Sequence, residues 1–210
     1  MSVRRGIIEV VDGLGVEQVR SDHPSGLGKR GDWARIHRQD IESDKQALVV
    51  LKNSLIDPDN VLFNWDANRD PCTWNNIHCQ NNKVTSVLLS RNNLGGNLVP
   101  ELGTLSALQD LSLINNTIEG TIPAEFGNLE NLQILGLSDN LLSGEIPPSL
   151  GNLKSLNLLF LDHNKLTGKV APEIGNLSSL TWADLSANSL CWNFWPTLKF
   201  VGNYTLCQKK

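Results

Sequence analysis

An asparagine recurs every 24 residues through the second half of the chain, and this spacing constrains the fold more than any other feature. The series is Asn92, Asn116, Asn140, Asn164 and Asn188. A leucine stands three positions before each asparagine, and a leucine or isoleucine stands two positions after it. A fixed period of this length indicates one small structural unit that cannot bury its apolar face alone, so the units must stack on one another.

The alternation within each unit predicts a short strand. In Leu111-Ser112-Leu113 the two leucines point to one face of the strand and Ser112 points to the other. With the L-x-x-L-x-L-x-x-N core, this pattern predicts an α/β fold, a leucine-rich repeat solenoid of five 24-residue repeats. Successive strands should form a parallel sheet along a concave surface, about 4.8 Å apart. The recurring asparagine should bond the turn after its strand and the neighbouring repeat.

The second half of each unit carries the motif G-x-I-P, as in Gly120-Thr121-Ile122-Pro123 and Gly144-Glu145-Ile146-Pro147. This motif resembles the plant-specific class of extracellular leucine-rich repeats found in receptor kinases and related secreted proteins. The resemblance covers residues 43 to 207, although the motif is altered in the first and fourth units and lost in the fifth. It implies a helical, disulfide-bonded N-terminal cap and a short C-terminal cap.

Four segments follow from these patterns. Residues 1–42 carry seven basic and seven acidic residues and no lasting periodicity, so a disordered leader is expected there. Residues 43–83 should form the N-terminal cap, with a helix that starts at the capping box Ser43-Asp44-Lys45-Gln46. Phe63, Trp65 and Trp74 should add apolar bulk to this cap. Residues 84–190 are the repeats, and residues 191–210 are the C-terminal cap.

The cysteines agree with the resemblance. In the N-terminal cap of plant leucine-rich repeat ectodomains, the pair that corresponds to Cys72 and Cys79 forms a disulfide. Cys191 and Cys207 flank the other end and are expected to form a second bridge, because a solenoid keeps its ends apart. Disulfides imply an oxidising compartment, so an extracellular (apoplastic) location is expected, although no signal peptide is recognisable. Acceptor triplets for N-glycosylation occur at Asn115, Asn176 and Asn203.

A narrower resemblance rests on the cap. The segments Asp57-Pro58-Asp59-Asn60-Val61-Leu62, Asn64-Trp65-Asp66 and Pro71-Cys72-Thr73-Trp74, followed by five repeats, resemble the somatic embryogenesis receptor kinases. That family implies a co-receptor ectodomain that joins a larger leucine-rich repeat receptor. Leu190-Cys191 directly after the last repeat is more similar to kinase-less secreted relatives. Asp110 and Ile114 stand where that family has tyrosines, and Asn76 stands where it has an aromatic residue in the cap.

Function must therefore be read from the concave side chains of this chain. Alternation places three columns there, and they are Ser86, Asp110, Ile134, Leu158 and Trp182; then Leu88, Ser112, Gly136, Phe160 and Asp184; then Ser90, Ile114, Ser138, Asp162 and Ser186. The predicted partner-binding residues are Ile114, Ile134, Leu158, Phe160, Asp162 and Trp182, because exposed apolar patches mark interaction sites. Alternatively, Phe160 and Trp182 pack under the C-terminal segment that carries Trp192, Phe194 and Trp195.

Other classes of function find little support in the sequence. The formal charge of −4 argues against nucleic acid as a partner, and no apolar run is long enough to cross a membrane. Asp162-His163 is the only acid–base pair on the concave face, so neither an enzyme nor a metal or cofactor site is expected. The chain should be a monomer when free and should bind a protein or peptide in plant receptor signalling or defence. The alternatives are an inhibitor of a pathogen wall-degrading enzyme and a decoy ectodomain without a kinase.

Overall fold

The computed structural model describes the backbone of residues 30–192, 200–201 and 205–206, and the side chains of residues 41–191. The helix and strands, in chain order, are α1 (Arg30–Ser54), β1 (Leu55–Ile56), β2 (Ile77–Gln80), β3 (Lys83–Leu88), β4 (Gly95–Asn97), β5 (Asp110–Ser112), β6 (Thr117–Glu119), β7 (Ile134–Gly136), β8 (Ser143–Gly144), β9 (Leu158–Phe160), β10 (Lys165–Lys169), β11 (Trp182–Asp184), β12 (Ser189–Trp192), β13 (Phe200–Val201) and β14 (Thr205–Leu206). They form the predicted solenoid.

The cap helix begins earlier than predicted. Residues 1–29 of the predicted leader lie outside the described residues. Helix α1 starts at Arg30, so the predicted start at Ser43 is wrong. The physical reason is that residues 32–42 contain no proline or glycine and many good helix formers, so nothing in the sequence stops the helix upstream of the capping box. Asp44 is buried, and its carboxylate accepts a hydrogen bond from the backbone N–H of Val84 at 2.8 Å, which joins the helix to the first strand of the repeats.

The interior of the cap is built on two tryptophans. The rings of Trp65 and Trp74 stack with their centroids 5.3 Å apart, and the indole N–H of Trp65 donates to the carbonyl of Asn75 at 3.0 Å. Cys72 and Cys79 form the expected disulfide. Phe63 does not join this core, contrary to prediction, because its side chain is 65% exposed. Its neighbours Leu62 and Trp65 take the buried positions of this turn.

The concave side is a seven-stranded sheet. Its order is β13-β11-β9-β7-β5-β3-β2, and every neighbouring pair is parallel except β2 with β3 at the cap. The antiparallel strand β2 therefore closes the open edge of the first repeat. This placement provides a cap for a sheet edge that would otherwise expose unpaired backbone groups.

The opposite side of each repeat is made of short strands and 3₁₀ helices. The strands form two small sheets, in the orders β1-β4-β6 and β14-β12-β10-β8, which the sequence did not predict. The 3₁₀ helices after the G-x-I-P motifs and their variants are Pro100–Thr104, Ala124–Asn128, Pro148–Asn152 and Pro172–Asn176. Gly127 allows two of them to touch, because a Cβ there would lie 2.4 Å from the carbonyl oxygen of Ser149.

The asparagine ladder is confirmed. The Asn140 amide donates to the carbonyls of Leu113 and Leu137 at 2.9 and 3.1 Å, and its oxygen accepts from the N–H of Ile118 at 3.0 Å. Asn116, Asn164 and Asn188 make equivalent bonds to the repeat before them. The ladder thus satisfies buried backbone groups that a packed core would otherwise leave without partners.

Candidate partner-binding surface

The strand register confirms the first two predicted columns. In the first column Ser86, Asp110, Ile134, Leu158 and Trp182 are aligned partners on successive strands. The second column, from Leu88 to Asp184, follows the same register. His78 extends the first column onto the cap, because it pairs with Ser86 across β2 and β3. The alternation of each strand turns these side chains away from the leucine core.

Four of the predicted residues form one apolar patch, which we define as Ile134, Leu158, Phe160 and Trp182. Ile134, Leu158 and Trp182 are consecutive in the first column, and Phe160 lies on the same strand as Leu158. Trp182 is 43% exposed, and the other three are half-buried. The proposed packing under Trp192, Phe194 and Trp195 concerns side chains outside the described residues.

Ile114 lies in the third column, and its side chain occupies the space beside Gly136. A Cβ at Gly136 would lie 2.9 Å from the Cδ1 atom of Ile114 and 3.1 Å from the Oγ atom of Ser112. The absence of a side chain at Gly136 therefore makes a depression in the second column, and Ile114 covers part of it. Phe160 is the neighbour of Gly136 on the other side. Ile114 and the apolar patch thus border the same depression, and no sequence pattern predicts this contact.

Asp162 is held by two neighbours. Its Oδ1 atom accepts a hydrogen bond from the Ser138 hydroxyl, and its Oδ2 atom lies 2.9 Å from Nδ1 of His163. The hydrogen bond with Asp162 raises the pKa of His163 above its usual value, and the nearby charges of Asp139 and Asp184 act in the same direction. The Asp162 carboxylate lies between Ser138 and His163, so these groups lack the order of a catalytic serine–histidine–aspartate triad.

A ridge of left-handed residues borders the third column. Arg91, Asn115, Asp139, His163 and Ala187 all have φ between 50° and 61° and stand one position before the ladder asparagines. Asparagine, aspartate and histidine are found in this conformation more often than other L-residues, whereas alanine and arginine rarely adopt it. The sequence pattern did not predict the ridge, since these five residues share no chemistry.

Asp110 is the functional candidate that the sequence analysis missed. Its Oδ1 atom is buried and accepts no hydrogen bond from any described residue. Burial raises the pKa of this carboxyl, and the charge of His78 opposes that shift. Asp110 adjoins Ile134, so an unsatisfied acceptor borders the apolar patch. Its charge was visible in the sequence, but the lack of a partner depends on how Ser86 and Ile134 pack beside it.

The comparisons with known proteins agree with this architecture. Residues 41–80 match the leucine rich repeat N-terminal domain, and residues 107–129, 131–153 and 155–177 match the leucine rich repeat. One solved structure, the BIR3–SERK2 complex from Arabidopsis thaliana, contains a chain that is 32% identical with a TM-score of 0.67. The match covers 78% of this chain and 94% of that chain. This chain belongs to the plant leucine-rich repeat proteins.

Other relatives of this leucine-rich repeat chain are similar over shorter lengths. Leucine-rich repeat protein 1 of Arabidopsis thaliana is 49% identical over 82 residues, and its counterpart in Oryza sativa is 50% identical over 73 residues. The chain therefore matches only 38% and 34% of the lengths of these two relatives. The BIR2 ectodomain from Arabidopsis thaliana is 33% identical with a TM-score of 0.67, and the match covers 70% of this chain and 81% of that one.

The remaining predicted sites of this leucine-rich repeat chain lie outside the concave columns. Asn115 and Asn176 are exposed, as an acceptor for a glycan must be, and Asn203 lies outside the described residues. Cys191 is disulfide-bonded, whereas its predicted partner Cys207 also lies outside them. In the part of the chain that the structure describes, no group of three or more His, Cys, Asp or Glu side chains could hold a metal ion. No helix there is long and apolar enough to cross a bilayer.

Proposed function

We propose that this protein is an extracellular, non-catalytic recognition module that binds a protein or peptide through the apolar patch of its concave face. The observation that carries this proposal is the exposure of Trp182 beside Ile134, Leu158 and Phe160. The stacking of repeats requires apolar side chains on the opposite, inner face of these strands, where Leu135 and Leu159 are fully buried. It does not require them on the concave face, so another role explains them better.

Contact of water with this apolar patch is unfavourable until a partner covers it. Burying apolar surface yields about 25 cal/mol per Å². An exposed tryptophan next to a half-buried phenylalanine is also the kind of rigid anchor that dominates binding energy at protein interfaces. A partner that fits over repeats three to five would bury both rings at once.

The class of partner is supported by the structural relatives. One of them is a receptor kinase, HAESA, in complex with the peptide hormone IDA and the co-receptor SERK1, and another is PEPR1 with AtPEP1. The match to the chain in the BIR3–SERK2 complex covers 94% of that chain and 78% of this one, so it extends beyond the repeats alone. These relatives support a peptide or the ectodomain of a larger leucine-rich repeat receptor as the partner, in receptor signalling or defence.

The disulfides and the glycan acceptors support the proposed extracellular location. Cys72 and Cys79 are bridged, and bridges of this kind persist in oxidising compartments. Asn115 is exposed at the edge of the second repeat, so a glycan there would shield that repeat and leave repeats three to five open. We expect peptide mapping of plant-expressed protein to find Asn115 glycosylated. An unmodified Asn115 would remove the shielding argument and leave the apolar patch as the only basis for the binding site.

The test is a binding measurement with matched variants. The wild type, Phe160→Ala and Trp182→Ala are compared in calorimetric titrations against a panel of plant leucine-rich repeat ectodomains and secreted peptides. Each aromatic truncation should weaken binding by about 2 kcal/mol or more, which is about thirtyfold. Glu130→Ala is the control, because Glu130 is exposed outside the concave columns.

Two results would contradict the proposal. If Phe160→Ala and Trp182→Ala bind normally but unfold at a much lower temperature, the rings serve the packing of the C-terminal cap. If the protein instead inhibits a fungal polygalacturonase in an activity assay, and does so equally well in both variants, the inhibitor alternative is favoured and the binding surface lies elsewhere. If the protein acts as a decoy ectodomain, it would bind the same partner through the same surface. Binding data alone would then not identify the decoy role, and the signalling output of the partner receptor would have to be measured.

A further inference from the structure

The three concave columns carry more acidic than basic side chains, although His78 extends the first column onto the cap and Arg91 and His163 border the third. Their fifteen positions include three aspartates, Asp110, Asp162 and Asp184, and no lysine or arginine. Asp110 adjoins Ile134 at one side of the apolar patch, and Asp184 adjoins Phe160 at the other. An apolar surface between carboxylates attracts a segment that is itself both apolar and cationic, since like charges across an interface are strongly disfavoured.

The three aspartates differ in how far the protein itself satisfies them. Both oxygens of Asp162 are engaged, by Ser138 and His163. Asp184 accepts a hydrogen bond from the backbone N–H of Ser186 at 3.0 Å. Asp110 alone keeps a buried oxygen that no described residue reaches. A buried acceptor without a donor costs free energy in the unbound protein. A partner cation at the accessible part of the half-buried Asp110 side chain would offset this cost electrostatically.

We propose that the concave face binds an extended peptide segment whose lysine or arginine reaches Asp110 while an apolar side chain of the same segment packs on Trp182 and Phe160. This inference rests on the function proposed above and specifies the chemistry of the partner. It distinguishes Asp110 from Asp162, which was the charged contact expected from the sequence.

The geometry sets the spacing of the two side chains in the partner. Asp110 and Trp182 are separated by three strand spacings in the first column, through Ile134 and Leu158. At about 4.8 Å per spacing, this distance is about 14 Å, and an extended segment advances about 3.3 Å per residue. The cationic and apolar residues should therefore stand about three to five positions apart. The intervening residues cross Ile134 and Leu158, which favours small or apolar side chains there.

The experiment selects random twelve-residue peptides, displayed on phage, against the folded full-length chain at low salt. The selected sequences should be enriched in a lysine or arginine three to five positions from an aromatic or aliphatic residue. Synthetic copies should bind Asp110→Asn at least tenfold more weakly than the wild type. Glu130→Gln is the matched control, because Glu130 is an exposed carboxylate outside the concave columns, and it should bind within about twofold of the wild type. Thermal melting of each variant establishes that it is folded.

A double-mutant cycle identifies the pairing directly. Replacing the basic residue of the peptide by alanine should weaken binding to the wild type about as much as Asp110→Asn does, and should weaken binding to Asp110→Asn little further. Independent losses would overturn the assignment to Asp110, and so would a cycle that couples the basic residue to Asp184→Asn instead.

The outcomes separate this inference from the function on which it rests. Peptides that require Phe160 and Trp182 but carry no basic residue would overturn the inference and leave the proposed surface standing. Peptides that bind Phe160→Ala and Trp182→Ala as well as the wild type would overturn both. Recovery of no peptide above the background of an unrelated control protein would overturn the inference, while ectodomain titrations would still test the surface.

Discussion

The interior of the solenoid and its concave face are built by the same strands, yet they obey different rules. Leu111, Leu135 and Leu159 repeat one residue type at one spacing, and all three are fully buried. Directly before them on the concave side stand Asp110, Ile134 and Leu158, which share neither size nor charge. The difference teaches that stacking dictates the inner face alone. Stacking places no such demand on the concave face, so the apolar side chains found there need another explanation.

The largest difference in stability is expected between one side-chain truncation in the core and one on the concave face. Leu161→Ala leaves a cavity in the core, because the side chain is fully buried, and should lower the free energy of unfolding by about 2 to 5 kcal/mol. Trp182→Ala, on the concave face, should cost about 1 kcal/mol or less, although it removes a larger side chain. Urea denaturation of both variants measures the difference. Equal losses would show that the concave ring is part of the structural core.

The cap provides the next largest effect. Cys72 and Cys79 enclose a short loop with a sequence separation of 7, so chain entropy predicts a stabilisation of about 2 to 3 kcal/mol. Cys79→Ser should lower the melting temperature and expose α1 to protease, because the cap closes the edge of β3. Limited proteolysis of the variant, with reduced wild type as the reference, measures both effects. An unchanged cleavage pattern would show that the concave sheet does not depend on this cap.

Substitution of Asp110 should increase stability, whereas the substitutions above decrease it, because the Asp110 side chain does not favour folding. Asp110→Asn should raise the free energy of unfolding at neutral pH by about 1 kcal/mol, or about 2–4 °C in melting temperature. Burial raises the pKa of Asp110 in the folded state above its unfolded value. The folded protein therefore binds the carboxyl proton of Asp110 more tightly than the unfolded chain does. Stability falls as the pH rises from the unfolded pKa of Asp110 to its folded pKa. The extra stability of Asp110→Asn should disappear at a pH below both the folded and the unfolded pKa of Asp110. Thermal unfolding of both proteins at acidic and at neutral pH measures this change.

The smallest effect concerns His163, which is exposed on the ridge. Its pKa is raised in the folded state, chiefly by the hydrogen bond with Asp162. The stabilisation is therefore fully present below the unfolded pKa of histidine and is lost as pH rises through the folded pKa. Asp162→Asn should lower the pKa of His163, measured by NMR titration, while Glu130→Gln should leave it unchanged. A His163 pKa that does not move in Asp162→Asn would show that this bond is absent in solution.

The parts of the fold that could be predicted are those that the period dictates. The ladder bonds of Asn140 and the alignment of Asp110, Ile134 and Leu158 follow from a 24-residue spacing and a two-residue alternation. Both rules act on the backbone, so they hold whatever side chains stand on the surface. For the same reason the positions of the partner-binding candidates could be predicted, although their role remains a proposal.

The rest could not be predicted because it depends on contacts that occur once. The start of α1 at Arg30 has no local signal stronger than the capping box at Ser43. The exposure of Phe63 depends on which aromatic side chains fill the interior of the cap, and Trp65 and Trp74 fill it. The contact of Ile114 with Gly136 depends on an absent side chain one repeat away. None of these three features recurs along the chain, so no repeated spacing in the sequence predicts them.

The direction of the asparagine ladder has a consequence for the growing chain on the ribosome. Asn140 binds Leu113 and Ile118 of the repeat before it, so each repeat is completed only by residues synthesised after it. The cap and α1 emerge first and offer a finished edge on which the first strand can pair. Each new turn then closes the previous one, and only the newest unit is open to the solvent. We expect translation from the N-terminus to build this protein one repeat at a time, with the apolar patch of repeats three to five among the last parts to form.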